Sequence, residues 1–260
     1  MTTMNMLVCQ QPEQLIWKIR EVPLPRDDEA LIKIKTVGIC GTDIHAWGGH
    51  QPYFSYPRVL GHEICGEIVG LGKNIQYLKN GQQVSVIPYV ACRKCPACRS
   101  GRTNCCENIS VIGVHQDGGF AEYLVVPVAN LLAADGIDPE AAALIEPFAI
   151  SAHAVRRAAI SQGDQLLVVG AGPIGLGAAA IASADGAEVV VADTCVARRE
   201  HVQMQLGLDT LDPSQADFVE RLRARFGGSL AQKVIDATGN PQAMNNTVHL
   251  IRHGGSIVFV

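Results

Sequence analysis

Apolar and polar positions mix on a near period of two through residues 1–36. Leu15-Ile16-Trp17-Lys18-Ile19 and Ala30-Leu31-Ile32-Lys33-Ile34-Lys35 are the clearest runs. They predict β-strands, because successive strand side chains point to opposite faces. Pro23 and Pro25 punctuate between them. Residues 64–69 and 83–87 predict further strands, with turns supplied by Gly70, Gly72, Asn80 and Gly81. Gly118-Gly119-Phe120-Ala121-Glu122-Tyr123 reads as a glycine turn entering a strand.

From residue 150 the period changes. Ile150, Ala154, Val155, Ala158 and Ala159 recur at helical spacing. Leu166-Leu167-Val168-Val169 is an unbroken apolar run, as in a strand buried on both faces. An Ala-rich helix follows it to Ala184. Strands are expected at 188–193, 208–211, 233–237 and 256–260, with helices over 214–226 and 242–251. The pattern therefore predicts a β-rich domain over 1–148 and an α/β domain with a doubly wound parallel sheet over 149–260.

Composition narrows the class. Hydrophobic residues make up 48% of the 260, enough for sizeable cores. The net charge is only −4 and no basic block occurs, so neither nucleic acid nor an anionic membrane is an expected partner. No apolar run approaches the roughly 18 residues of a spanning helix. The N-terminus has no basic run leading into an apolar segment, so a cytoplasmic protein is expected.

Chemistry concentrates in three places. Cys92, Cys95, Cys98 and Cys106 follow the spacing C-x2-C-x2-C-x7-C. Four thiolates so placed can close a tetrahedral structural zinc site, with Cys105 an alternative fourth ligand. Cys9, Cys65 and Cys195 have no motif and read as small hydrophobes. Cys40, His62 and Glu63 offer a thiolate, an imidazole and a carboxylate. A catalytic zinc needs such a set with one position left open. Gly170-Ala171-Gly172-Pro173-Ile174-Gly175 lies between the apolar strand and the Ala-rich helix. Its glycines let backbone approach a pyrophosphate at the helix N-terminus. Asp193 ends the next strand, where a carboxylate can accept from a ribose hydroxyl and repel a 2′-phosphate, so NAD is expected. Arg198 and Arg199 are the weaker signal toward NADP.

Gly61-His62-Glu63-Ile64-Cys65-Gly66, with Gly72 beyond, resembles the zinc signature of the medium-chain alcohol dehydrogenases. The resemblance covers essentially the whole chain. It is closest to the sorbitol and threonine dehydrogenase branch. The runs 41–49 and 113–120 carry a likeness to a sugar-acid dehydrogenase of that branch. The resemblance implies a GroES-like barrel followed by a Rossmann domain, two zinc ions per subunit, NAD, and a homo-oligomer (dimer or tetramer). It implies oxidation of a secondary alcohol of a polyol or sugar acid. It makes Thr42 and His45 a proton relay and Cys106 the fourth structural ligand. His115 could face the substrate, though a structural role is the simpler reading. Glu146, before Pro147, matches a position where other branches carry a second zinc cysteine. The third catalytic ligand is then Glu63 or Glu146, and the choice stays open. A carboxylate in place of a thiolate makes a harder metal site.

Two rival expectations remain. One is a threonine dehydrogenase built from the same parts. The other follows from length, since members of the family are usually longer. Residues 256–260 read as the fifth strand of a six-stranded sheet ordered 3-2-1-4-5-6, leaving an apolar edge. The chain would then be a truncated product that keeps zinc and cofactor but turns over poorly.

Overall fold

The computed structural model describes residues 2–260 and divides into two compact units, Met1–Glu146 and Pro147–Val260. The division falls two residues before the boundary expected near 148, inside an α-helix.

The first unit is built from strands β1 (Thr3–Gln11), β2 (Gln14–Glu21), β3 (Glu29–Gly38), β4 (Arg58–Val59), β5 (Glu63–Leu71), β6 (Gln83–Val86), β7 (Tyr89–Val90), β8 (Ser110–Val111), β9 (Tyr123–Pro127) and β10 (Leu131–Ala133). Helices α1 (Gly41–Trp47), α2 (Pro96–Arg99) and α3 (Pro139–Ala143) lie among them. The main sheet has the order β10-β6-β5-β3-β9, a smaller one β2-β1-β4, and β7 pairs with β8. Ala30 and Ile32 of β3 bury against Ile64 and Ile68 of β5, Val84 and Val86 of β6, and Leu124 and Val126 of β9. Each buried Ile, Leu or Val side chain contributes roughly 1.5–3 kcal/mol. The antiparallel register of β3 and β5 sets Gly38 opposite Glu63. That pairing brings the residues just past β3 beside those at the head of β5.

The second unit carries helix α4 (Ile145–Ala158) from Pro147 onward, and β11 (Gln165–Val169), α5 (Pro173–Ala184), β12 (Glu188–Ala192), α6 (Val196–Leu206), β13 (Asp209–Leu211), α7 (Phe218–Arg225), β14 (Ala231–Asp236), α8 (Pro241–Asn246) and β15 (Ile251–Phe259). Its sheet is parallel, in the order β13-β12-β11-β14-β15. Leu166 and Val168 face one core with Ala178, Ala179 and Ala182 of α5. Leu167 and Val169 face another with Phe218 and Leu222 of α7. Helices on both faces explain why β11 is apolar at every position rather than alternating.

Two helical expectations change at their ends. The helix expected over 242–251 stops at Asn246, passes through a 3₁₀ turn at Thr247–His249, and gives Ile251 to β15 opposite Ala231. Pairing at the sheet edge overrides the apolar spacing that suggested helix. The helix expected from residue 214 begins at Phe218, because Asp212 accepts from Ser214 N–H and holds the preceding residues in a turn. Among the described residues no helix is long and apolar enough to cross a membrane.

Candidate active site and metal centres

Cys40, His62 and Glu63 offer ligand atoms within 4.8 Å of one another. His62 and Glu63 are buried, at 6% and 8% exposure. Asp43, on the first turn of α1, ties the group together. Its Oδ2 accepts from the Cys40 N–H at 2.9 Å and its Oδ1 from the Gly61 N–H at 3.0 Å. The same Oδ1 lies 3.8 Å from His62 Nδ1, a buried atom with no hydrogen-bond partner. At Gly38 an added Cβ would meet the Glu63 carboxylate and displace it.

The electrostatics of this group call for a cation. Burial works against a charged His62, yet the adjoining Cys40 sulfur and the Asp43 and Glu146 carboxylates outweigh it and push the imidazole up to about 9. Burial raises the Glu63 carboxyl, with the neighbouring imidazole working against it. A protonated imidazole is thus the stand-in for positive charge among anionic donors. One thiolate, one imidazole and one carboxylate fit a zinc ion with a free position.

The structure does not bring Glu146 into that donor group. It is buried at 7% exposure, and its Oε1 accepts from the Tyr89 hydroxyl at 2.5 Å. Thr42 is half-buried and His45 exposed, three residues apart on α1 and so on one helix face. His115 is exposed and its Nδ1 accepts from Val111 N–H, a local structural bond. Trp47, the last residue of α1, lines an apolar groove of about 560 Å³ shared with Leu15, Trp17, Ile39 and Ile44. Cys40, His62 and Glu63 do not line that groove.

Cys92, Cys95, Cys98 and Cys106 form the second group of mutually close ligand atoms, and Cys105 lies outside it, exposed. Backbone N–H groups of Lys94 and Cys95 hold the Cys92 thiol down to about 6, and those of Cys98 and Glu107 lower Cys95. Burial pushes Cys98 up to about 12. Cys106 Sγ accepts from the N–H groups of Cys92 and Asn108. Loop amides turned toward sulfur stabilise thiolates, the form that binds metal.

In the second unit a cleft of about 740 Å³ is lined by Gly170, Gly172, Asp193, Arg198 and Thr238 among others. Gly170 has φ +96°, a conformation that favours glycine, and a Cβ on Gly175 would strike the Gly170 carbonyl. Pro173 opens α5, whose N-cap is Gly172. Ile174 packs its carbonyl against the Ser151 hydroxyl, which donates to it at 2.9 Å. Asp193 is already engaged. Its Oδ2 accepts from Ala171 N–H and its Oδ1 from Cys195 N–H, both at 2.7 Å. Arg198 Nη1 lies 3.6 Å from Oδ2 on an exposed side chain.

Asp43, Gly38 and Tyr89 are site residues that sequence reasoning missed. An acidic residue three positions after a cysteine at a helix start was the available signal for Asp43. Nothing local marks Tyr89, whose partner is 57 residues away.

A GroES-type barrel bearing these donors, and a parallel sheet bearing a glycine-rich turn, define a zinc-dependent dehydrogenase. Residues 26–136 match the alcohol dehydrogenase GroES-like domain and residues 173–260 the zinc-binding dehydrogenase family. The chain belongs to this family. It is 80% identical, over all of its length and 76% of the relative's, to L-galactonate-5-dehydrogenase of Escherichia coli K12. It is 36% identical to an L-threonine 3-dehydrogenase of Legionella pneumophila (strain Corby), over 99% of this chain and 77% of that one. Among solved structures it is similar to a short chain alcohol dehydrogenase, rspB, from E. coli CFT073 complexed with NADH. There the identity is 35% and the TM-score 0.92, covering 99% of this chain and 76% of that chain.

Proposed function

We propose that the protein oxidises a secondary alcohol of a polyol or sugar acid with NAD, and that L-galactonate, converted to D-tagaturonate, is its substrate. The observation that carries the reaction class is the buried group of Cys40, His62 and Glu63. The 80% identity to L-galactonate-5-dehydrogenase supports the substrate. In this reading Cys40, His62 and Glu63 hold a catalytic zinc. Bound zinc supplies a Lewis acid that makes a substrate hydroxyl more acidic at neutral pH. Thr42 Oγ1 takes the proton from that hydroxyl and passes it to the exposed imidazole of His45, and so to solvent. Bound NAD would supply the acceptor for the hydride of the carbinol carbon.

The other parts have supporting roles. Cys92, Cys95, Cys98 and Cys106 hold a second, structural zinc. Gly170, Gly172, Pro173, Ile174 and Gly175 receive the pyrophosphate at the head of α5. Asp193 meets the adenosine ribose, with Arg198 beside it. The barrel-bearing first unit is the catalytic domain and the second the cofactor domain. A cytoplasmic homo-oligomer, dimer or tetramer, completes the reading, and light scattering measures its mass.

Initial rates with NAD test the substrate. L-galactonate should exceed L-threonine in kcat/KM by about ten-thousandfold, since sites built around a substrate's polar groups reject analogues lacking them. Equal or better turnover of L-threonine would place the protein with the threonine dehydrogenases it also resembles.

A further inference from the structure

Glu146 sits beside the candidate zinc donors without joining them. It is close enough to act on both His62 and Glu63 through its charge. A carboxylate is itself a zinc ligand, so one buried beside an open position can compete for it. Something must hold it off if a substrate hydroxyl is to bind there.

The structure shows a restraint. The Tyr89 hydroxyl donates to Glu146 Oε1 at 2.5 Å, across 57 residues of sequence. Tyr89 is itself fixed. It lies in β7, paired with Val111 of β8. The buried Asn130 side chain donates to the carbonyls of Ile87 and Tyr89, at 2.7 and 3.2 Å. The phenol is therefore carried on clamped backbone, and one oxygen of Glu146 is committed to it.

We propose that Tyr89 is a positioning residue that holds Glu146 out of the Cys40, His62 and Glu63 donor set and so keeps the fourth position open for substrate. The proposal rests on the reading that those three residues bind the catalytic metal. Tyr89 does not touch the reacting atoms. It acts by deciding where a competing carboxylate can go.

The test uses protein loaded with cobalt(II), whose visible absorption reports coordination. Difference spectra against Cys40→Ala isolate the catalytic site from the four-cysteine site. Tyr89→Phe should shift the catalytic-site spectrum and slow metal loss to a chelator by about tenfold, the scale on which partners of metal ligands act. Its KM for the alcohol should rise while kcat changes little, because the freed carboxylate competes with substrate. Glu146→Gln alone should leave the spectrum as in wild type, and Tyr89→Phe/Glu146→Gln should return it there.

The proposal is overturned if Tyr89→Phe overlays wild type in spectrum and metal retention, even with lowered thermal stability, which is all a packing role would give. A spectral shift in Glu146→Gln alone also overturns it, since Glu146 would then already be a ligand. Should Tyr89→Phe not fold, Tyr89→Leu, which also lacks the hydroxyl, is read in the same assays, and an overlay with wild type overturns the proposal equally. A catalytic-site spectrum that survives Cys40→Ala would instead refute the underlying donor set, a distinct result.

Discussion

The two cysteine-containing donor groups of the first unit are built in opposite ways. The four-cysteine group comes from one loop, residues 92–106, and its thiolates are favoured by amides of that same loop. The Cys40, His62 and Glu63 group spans two chain segments and exists only because β3 and β5 pair with Gly38 opposite Glu63. A one-residue slip of that register would turn Glu63 to the other face. The first group is local. The second is buried, dependent on register, and set among competing carboxylates. Register-bound β-structure fixes the relative placement of the Cys40, His62 and Glu63 donors, which a single loop would leave freer.

Breaking each group in turn should separate their consequences. Cys40→Ala has the largest expected effect. Activity should fall at least about a thousandfold, the scale of removing a residue from machinery that acts as a unit. Metal analysis should show the four-cysteine site still loaded. Unchanged metal content with retained activity would sink the assignment. Cys95→Ala should act oppositely, through stability. Loss of a structural metal lies at the large end of single-substitution effects, roughly 4 kcal/mol or more, read as a lowered Tm. Cys95 is one of four donors in its group, so the barrel core of Ile32, Ile64 and Val84 should still fold at low temperature.

The comparison sharpens with pH. In metal-free protein His62 is raised to about 9 from its usual 6.5. A raised pKa contributes stability that is complete below about 6.5 and lost as pH climbs through about 9, on the order of 3 kcal/mol for a shift of this size. Cys92, held down to about 6, is already ionised at neutral pH. Stripped protein at pH 7 should therefore begin zinc uptake at Cys92, with Cys98, pushed up to about 12, giving up its proton as the metal binds. Uptake at His62 should improve toward pH 9 as the proton is released. Simultaneous filling of both sites across this range would show that the proton on His62 does not compete.

Gly38→Ala is a milder break. The added methyl would meet the Glu63 carboxylate and push it from its place. Metal affinity at the catalytic site should drop about 10–100-fold, with the four-cysteine site unaffected. Equal affinity would mean that Glu63 has room to adjust and that Gly38 matters only as strand backbone.

The same contrast explains what could be read from the sequence. The four-cysteine group was legible because its ligands are close in the chain and its backbone supplies the rest. The apolar run of β11, the glycine-rich turn and Asp193 were legible for the same reason. Cys40 and His62 were legible as residue types, but the role of Glu146 was not. Its distance from the donors depends on Tyr89, and no local pattern encodes a bond between residues 57 apart. The end of α8 was lost because Ile251 has the spacing of a helix face while edge pairing with Ala231 decides its conformation.

Asp193 offers the smallest test, and it moves the comparison to the second unit. Its carboxylate accepts two backbone N–H groups, from Ala171 in the glycine-rich turn and from Cys195. One charge therefore fixes the turn and, in the proposed reading, faces the adenosine ribose. Asp193→Ser removes the charge and keeps a short acceptor. Repulsion of a 2′-phosphate should vanish, and Arg198, left without its carboxylate neighbour 3.6 Å away, becomes free to attract it. The NAD over NADP preference should narrow by about tenfold, roughly 1.4 kcal/mol, the cost scale of an unfavourable charge contact at a partly screened site. Because the turn also loses an acceptor, KM for NAD should rise as well. The two effects separate by measuring both cofactors. A change in preference reports the charge, and a common rise in KM reports the turn. If wild type already uses NADP as well as NAD, the carboxylate serves the turn alone, and its resemblance to a ribose-binding acid is structural.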